Sequence, residues 1–166
     1  MKKNLFYVCI SFIVLPLLAT FYLQESSVDN TLKKWISKNC DFDHLEKPCV
    51  LVLQDVVNKP WDKVYVSNDG SQFDIPPEIE KLDVMDDDVM SRRIIFLKGD
   101  KLVHYEKMKT DLEKNIKGEP YFYINGKDWP SYTPQTALFT VTLRIHEGGY
   151  YLLTPVSEEK SLNLDL

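Results

Sequence analysis

The sequence predicts an α+β protein in which an N-terminal membrane helix precedes one small domain, with a short helix packed on an antiparallel sheet. Residues 5–23 contain no charged residue, residues 31–38 place apolar side chains at helical spacing, and residues 139–146 alternate between apolar and polar side chains. Such alternation is typical of antiparallel strands with one face on a core and the other in water. The predicted boundaries are a leader at 1–23, a spacer at 24–30, an extracytoplasmic domain at 31–156 and a flexible tail at 157–166.

The leader is the apolar stretch of residues 5–23, which follows Lys2 and Lys3. At 1.5 Å per helical residue it spans about 28 Å, close to a hydrocarbon core of about 30 Å. Two interpretations remain open: an uncleaved signal-anchor, and a signal peptide cleaved near Ala19. The positive-inside rule places the N-terminus in the cytoplasm and the domain outside it. We therefore expect a single-pass inner-membrane protein with a periplasmic domain, or a periplasmic protein if the leader is removed.

The first elements after the spacer are a helix and a strand. Residues 31–38 carry apolar side chains spaced by three and four, which predicts a short amphipathic helix. Ser27 or Asn30 is a suitable N-cap. Residues 49–57, CVLVLQDVV, are dense in β-branched side chains and predict a buried strand.

The middle of the chain predicts a strand, a short helix and a hairpin. Alternation over residues 61–66 predicts a strand with one aromatic face, and Pro76-Pro77 suits the first turn of a helix at 75–82. Residues 92–108 form the clearest hairpin, because two apolar segments flank a Gly-Asp pair suited to a tight turn.

The last third of the domain predicts a second hairpin. A short helix is expected at 110–116 and a strand at 121–125, which ends at an Asn-Gly pair. Residues 139–154 then form a hairpin around Gly148-Gly149, with Ile145 at the end of its apolar face. These elements predict one antiparallel sheet of roughly five to seven strands.

Two segments of the domain resemble a known group of proteins. Residues 60–66, PWDKVYV, and 94–108, IIFLKGDKLVHYEKM, resemble a strand and a later hairpin of small bacterial lipoproteins and membrane-tethered proteins with a WDKVY(I/V)F motif. The resemblance implies an exported bacterial protein on a short tether, with no assigned activity or site. This chain departs from the group in having Ser67 where the group has an aromatic residue, and in lacking a lipid-accepting cysteine.

Two cysteines outside the leader predict a disulfide. Cys40 and Cys49 are an even pair in a domain expected to be exported, and exported domains reach an oxidising compartment. There are two alternatives. One is a zinc site that uses Cys40, His44 and Cys49, and the other is that both cysteines are free thiols. Cys9 lies within the apolar run and is interpreted as an apolar filler.

The charge of the chain favours some partners over others. With 20 basic and 25 acidic residues, the formal net charge is −5. This disfavours nucleic acid and anionic lipid, which attract clustered Lys and Arg, and suits a basic protein or a cation. The acidic run of Asp83, Asp86, Asp87 and Asp88 lacks the alternating spacing of a calcium loop. We interpret this run as a solvated loop or as the binding site of a basic partner.

Aromatic residues supply the other candidate binding surface. Trp129 and Tyr132 lie in a loop bounded by two prolines, and Trp61 and Tyr65 share one face of a predicted strand. Trp and Tyr dominate the hot spots of protein interfaces, so an exposed aromatic patch is one interpretation and core packing is the other.

The sequence contains no recognisable catalytic motif. There is no Gly-x-Ser-x-Gly elbow, and a turn follows His146-Glu147 where a zinc protease needs a helix. We expect no cofactor, no metal and no enzymatic activity. The leading hypothesis is a membrane-tethered protein-binding module, most concretely an immunity protein or inhibitor of a toxin or hydrolase that acts in the periplasm. The alternatives are an accessory subunit of an envelope complex and, less favoured, a hydrolase that uses paired carboxylates.

Overall fold

The computed structural model describes residues 27–43, 48–67, 74–85, 91–108, 116–145 and 148–156. Its helices are α1 (Val28–Asn39), α2 (Leu53–Val56) and α3 (Pro77–Glu80). Its strands are β1 (Cys49–Val52), β2 (Lys63–Ser67), β3 (Arg92–Lys98), β4 (Lys101–Met108), β5 (Pro120–Phe122), β6 (Ser131–Tyr132), β7 (Leu138–Arg144) and β8 (Tyr150–Pro155).

The strands form two four-stranded sheets in the described part of the chain. Sheet A has the order β1-β7-β8-β5, and sheet B has the order β4-β3-β2-β6. Neighbouring strands are antiparallel except β5 and β8, which are parallel. Both predicted hairpins are confirmed, β3 with β4 and β7 with β8. Ile145, however, lies beyond the end of β7 and is 69% exposed, so its predicted core position is wrong.

The predicted fold class is wrong in two respects. Within the described ranges, no helix is long and apolar enough to cross a membrane, and α1 has only twelve residues with many polar side chains. The expected single antiparallel sheet is instead a pair of sheets, one of which includes a parallel strand pair. The predicted leader at 5–23, most of the helix proposed at 110–116 and the tail at 157–166 lie outside the described residues.

The main core lies between the two sheets and under α1. Its fully buried residues include Leu32 and Ile36 of α1, Phe96 of sheet B, and Phe122 and Phe139 of sheet A. The two phenylalanines of sheet A meet edge to face, with ring centroids 5.2 Å apart. The apolar residues that are spaced by three and four in the sequence therefore form the face of α1 that packs on this core.

A second core covers the opposite face of sheet B. Tyr65, Ile95 and Leu97 of the sheet pack with Ile79 of α3 and with Trp129. The inner strands β2 and β3 of sheet B are therefore buried on both faces, and residues 92–97 of β3 are all buried. Ile79 is fully buried in this second core.

The segment predicted as one long strand, residues 49–57, is a strand followed by a helical turn. The backbone N–H of Leu53 donates to the carbonyl oxygen of Ala137 at 3.0 Å, and the chain then turns into α2. This turn keeps Leu53, Val56 and Val57 buried without extending sheet A. Apolar density alone does not distinguish a strand from a helical turn when both are buried.

The disulfide between Cys40 and Cys49 is confirmed. Its Cα atoms lie 5.3 Å apart, and it joins the residue after α1 to the first residue of β1. His44, the third ligand of the alternative zinc site, lies outside the described residues. The bridge ties α1 to the edge strand of sheet A.

Replacing both cysteines with serine (C40S/C49S) should lower the free energy of unfolding by about 2.5–3 kcal/mol, because closure of this short loop no longer restricts the unfolded chain. Urea unfolding at neutral pH measures the loss. The variant C9S is the matched control and should unfold like the parent. A reductant that leaves the parent's midpoint unchanged would contradict a stabilising bridge.

Candidate functional site

The residues predicted to bind a partner lie in different environments. Asp83 is exposed beyond α3, whereas Asp86, Asp87 and Asp88 lie outside the described residues. Trp129 is 8% exposed in the second core, and Tyr132 is 9% exposed with its ring 5.1 Å from that of Phe139. The burial of these two rings agrees with core packing, so a partner-binding role for them stays a prediction.

The other aromatic pair does not share one face. Strand β2 begins at Lys63, so Trp61 lies before it and packs edge to face on Phe96, with ring centroids 5.4 Å apart. Tyr65 lies in the second core on the opposite side of sheet B. Because the strand begins at Lys63, its alternation of faces does not include Trp61.

The start of α1 is held by a carboxylate from β4. One oxygen of Glu106 accepts hydrogen bonds from the Ser27 hydroxyl and from the N–H of Asp29 at 3.3 Å. Its other oxygen accepts from the N–H of Val28 at 2.6 Å and lies 3.2 Å from Nε2 of His104. The first N–H groups of a helix have no partner within the helix, and a negative charge there also complements the helix dipole.

These contacts also set the titration of Glu106. Burial by itself raises the pKa of this carboxyl group, but hydrogen bonds from His104, Ser27 and the two backbone N–H groups prevail and hold the pKa below its usual value. The unfolded chain therefore binds this proton more tightly than the folded chain. The contribution of ionised Glu106 to the stability of the folded state is therefore complete above the usual glutamate pKa. It is lost as the pH falls through the lowered pKa of the folded protein.

A second set of charges lies one turn along α1. Nζ of Lys33 is 2.7 Å from Oδ2 of Asp29 and 2.5 Å from Oε1 of Glu119, which precedes β5. The other oxygen of Glu119 is 3.8 Å from Nη2 of Arg92, and Nη1 of Arg92 donates to the carbonyl oxygen of Pro120. One lysine thus joins α1 to sheet A, and one buried arginine joins sheet A to sheet B.

Burial and pairing compete in this network. Burial raises the pKa of Asp29, and the nearby Glu119 carboxylate adds to the increase against the opposing hydrogen bond from Lys33. Burial favours a lower pKa for Lys33, yet its hydrogen bonds to Asp29 and Glu119 prevail and raise it. Lys33 is therefore charged at neutral pH, where it separates two carboxylates that otherwise repel each other.

A groove lies beside the start of α1, and we name it the loop groove because residues 57–60 run through it. Its first cleft has a volume of about 220 Å³ and is lined by the buried side chains of Val28, Val56 and Val57 and by His104. Asn58 and Lys59, both exposed, lie along its rim.

The second cleft of the loop groove has a volume of about 350 Å³. It shares Val57, Asn58 and Lys59 with the first cleft and adds Gln54, Asp55 and Pro60, which are exposed. The loop groove therefore has an apolar end against α1 and a polar end against α2.

The loop groove is lined by side chains of mixed chemistry. Three described carboxylates have a shifted pKa, Asp29, Glu78 and Glu106; each bonds to another group of the fold, and none lines the loop groove. Among the described residues, no group of three or more His, Cys, Asp and Glu side chains is placed to hold a metal ion. The groove offers methyl groups, an imidazole, amides and one charge of each sign.

Neither the charge network nor the loop groove was found from the sequence. Glu106 lies 79 residues from Ser27, and Glu119 lies 86 residues from Lys33, so no local spacing links them. A signal for Asp29 and Lys33 is present, since their i,i+4 spacing predicts a helical ion pair. Comparison of the chain with family models, curated proteins and solved structures finds no match.

Changing Glu106 to Gln should lower the free energy of unfolding by about 1.5–3 kcal/mol at pH 7, because the start of α1 loses a charged acceptor. The variant should also lose stability less steeply than the parent below the usual glutamate pKa, since the group with the lowered pKa is gone. Urea unfolding across pH measures both effects. The exposed Glu80→Gln is the control, and equal acid profiles for E106Q and the parent would contradict the assignment.

Changing Lys33 to Met should lower the free energy of unfolding by about 2–4 kcal/mol at pH 7, because Asp29 and Glu119 then face each other without the ammonium. Part of the loss should be recovered as the pH is lowered, because the raised pKa of Asp29 favours its protonation and protonation removes the repulsion. Thermal unfolding over a series of decreasing pH values measures this. The exposed neighbour Lys34→Met should change little, and equal losses in the two variants would refute a structural role for Lys33.

Proposed function

We propose that this chain is an exported protein-binding module without enzymatic activity, most concretely an immunity protein or inhibitor of a toxin or hydrolase acting in the periplasm. The observation that carries the proposal is the loop groove. Its valine-lined cleft is bordered by the exposed side chains of Asn58 and Lys59. An apolar centre with a polar rim is the usual anatomy of a protein interface.

The frame around the loop groove supports a binding role. Val28, which lines the groove, donates its N–H to Glu106, and the far end of α1 is joined to β1 by the Cys40–Cys49 disulfide. The groove is therefore bordered by a helix held at both ends. A surface that is rigid before binding loses little conformational entropy when a partner is bound.

The proposed location is supported by the disulfide and by the leader. Disulfides persist in oxidising compartments such as the periplasm and are rare in the cytosol. An apolar stretch at residues 5–23 behind two lysines is typical of a segment that directs a chain to export. We place the domain on the periplasmic side, as the resemblance of residues 60–66 and 94–108 to exported bacterial proteins also implies.

The charge of the protein supports a basic partner. The formal net charge is −5, and Asp74, Glu80 and Asp83 are exposed around α3. Opposite net charges accelerate the encounter of two proteins and favour the correct partner over like-charged ones. Cationic wall-degrading hydrolases carry a positive net charge, which is opposite to the net charge of this chain.

A panel of cationic peptidoglycan hydrolases provides the test. Adding the purified full chain in equimolar amount should slow the clearing of a cell-wall suspension by at least one member of the panel. Isothermal titration with that member should then give a saturable complex. No inhibition and no binding across the panel would contradict the inhibitor proposal. On blue-native gels, a large complex formed without any hydrolase would favour the accessory subunit instead.

A further inference from the structure

We infer that the outer edge of β1 is a docking site for a strand, and that residues 161–166 of this chain occupy it. The order of sheet A, the exposure of its outer face and the pattern of the segment that follows β8 lead to this pairing. Neither the loop groove nor the proposed binding function enters it, because a different edge of the protein is involved.

The backbone of β1 has one side that no other described strand covers. In the described part of the chain, β1 is the outermost strand of sheet A and β7 is its neighbour. The N–H of Leu53 donates to the carbonyl oxygen of Ala137, and in an antiparallel ladder the groups of alternate residues point to the same neighbour. The N–H and carbonyl groups of Leu51 therefore point to β7, whereas those of Val50 and Val52 point away from it. Outward-pointing groups at a sheet edge are a template for another strand.

The side chains beside this edge are apolar and incompletely covered. Val50 is 42% exposed and Val52 is half-buried, on the face of sheet A opposite the fully buried Leu51. Leu138 and Val156 continue the same face across β7 and past the end of β8, and Val156 is 38% exposed. Strand β1 has no charged residue, proline or glycine, which are devices that blunt many natural edges. An added strand therefore gains most here if it presents apolar side chains to the two valines.

The segment after β8 has the sequence of such a strand. Residues 157–166, SEEKSLNLDL, lie outside the described residues and are predicted above as a flexible tail. In residues 161–166, however, polar and apolar side chains alternate strictly, with Leu162, Leu164 and Leu166 in one set. Strict alternation over about four to eight residues is typical of a strand with one apolar face. The three leucines are therefore the set that faces the apolar side of the edge.

The connection is long enough for this segment to reach β1. In the order of sheet A, a new strand beyond β1 lies three spacings of about 4.8 Å, roughly 14 Å, from β8. Residues 157–161 span at most roughly 16–18 Å when extended. Val156 lies at the end of the sheet where Leu138 pairs with Val52, so the segment enters beside Val52 and runs antiparallel to β1. A strand that returns to lie beside the first strand in this way forms a Greek key.

Pairing of this kind satisfies the outward groups of β1. The register pairs Leu162 with Val52, Asn163 with Leu51, and Leu164 with Val50. In the first and last pairs, the two residues exchange both backbone hydrogen bonds and their side chains share the outer face. The middle pair has no hydrogen bonds, and its Cα atoms approach to about 4.5 Å. A covered edge no longer pairs with other chains, which protects the domain from association through this strand.

Hydrogen exchange on the ¹⁵N-labelled full chain, kept in solution by a mild detergent, tests the pairing. The amides of Val50 and Val52 should exchange slowly. Changing both Leu162 and Leu164 to Asn (L162N/L164N) should accelerate their exchange at least about tenfold, because the hydrogen bonds of the added strand are lost. The amide of Leu51, which points to β7, should stay slow in both proteins and reports that the fold is intact.

The matched control changes the polar face of the same segment. Asn163→Ser combined with Asp165→Asn should leave the slow exchange of both valine amides unchanged. A second measurement determines the register. A nuclear Overhauser cross-peak should join Hα of Leu51 to Hα of Asn163, because the backbones approach closely in a pair without hydrogen bonds.

Three results would overturn the docking. Amides of the two valines that exchange in the parent as fast as in an unstructured peptide would show that the edge is free. Equal rates in the parent and in L162N/L164N, or the absence of a cross-peak from Leu51 to any residue of 161–166, would show that this segment does not cover the edge. Protection that grows with protein concentration would identify a second copy of the chain as the occupant. Inhibition of a hydrolase is measured separately and is unaffected by any of these results.

Discussion

The rest of the structure depends on one constraint, the attachment of α1 to the two sheets. Glu106 accepts hydrogen bonds from the first N–H groups of the helix, and Lys33 one turn later reaches Glu119 at the start of β5. Both contacts are partly buried and involve a charged side chain, so removing one partner leaves either unpaired N–H groups or a charge without compensation. The disulfide at the opposite end of α1 completes the attachment.

The loop groove is a consequence of this arrangement. Val28 and His104 reach its first cleft from α1 and β4, and Val56 and Val57 reach it from the end of α2. Because His104 also contacts Glu106, the same side chain belongs to the support of the helix and to the wall of the cleft. A partner bound there would touch residues whose positions are set by the fold, which is the condition for a selective surface.

The local elements were largely predictable. The spacing of apolar residues indicated α1, and the two hairpins followed from alternation around glycine turns, since these signals depend on neighbours in sequence. Their assembly was not. The three-residue strand β5 pairs in parallel with β8. A parallel pair needs a long connection between its strands, and here that connection contains β6 and β7. No local sequence pattern predicts such a pairing. The helical turn of α2 was likewise hidden within an apolar run.

The sequence by itself determined the acidic balance, the uncharged apolar stretch of residues 5–23, the pairing of Cys40 with Cys49 and the amphipathic face of α1. Tertiary structure alone decided that the strands divide into two sheets, that Trp129 and Tyr132 are buried, and that Glu106 and Glu119 meet α1. The reason is physical. Periodicity and composition act over one turn or one strand, whereas the hydrogen bond between Ser27 and Glu106, 79 residues apart, and the ion pair between Lys33 and Glu119, 86 residues apart, exist only after the sheets have packed.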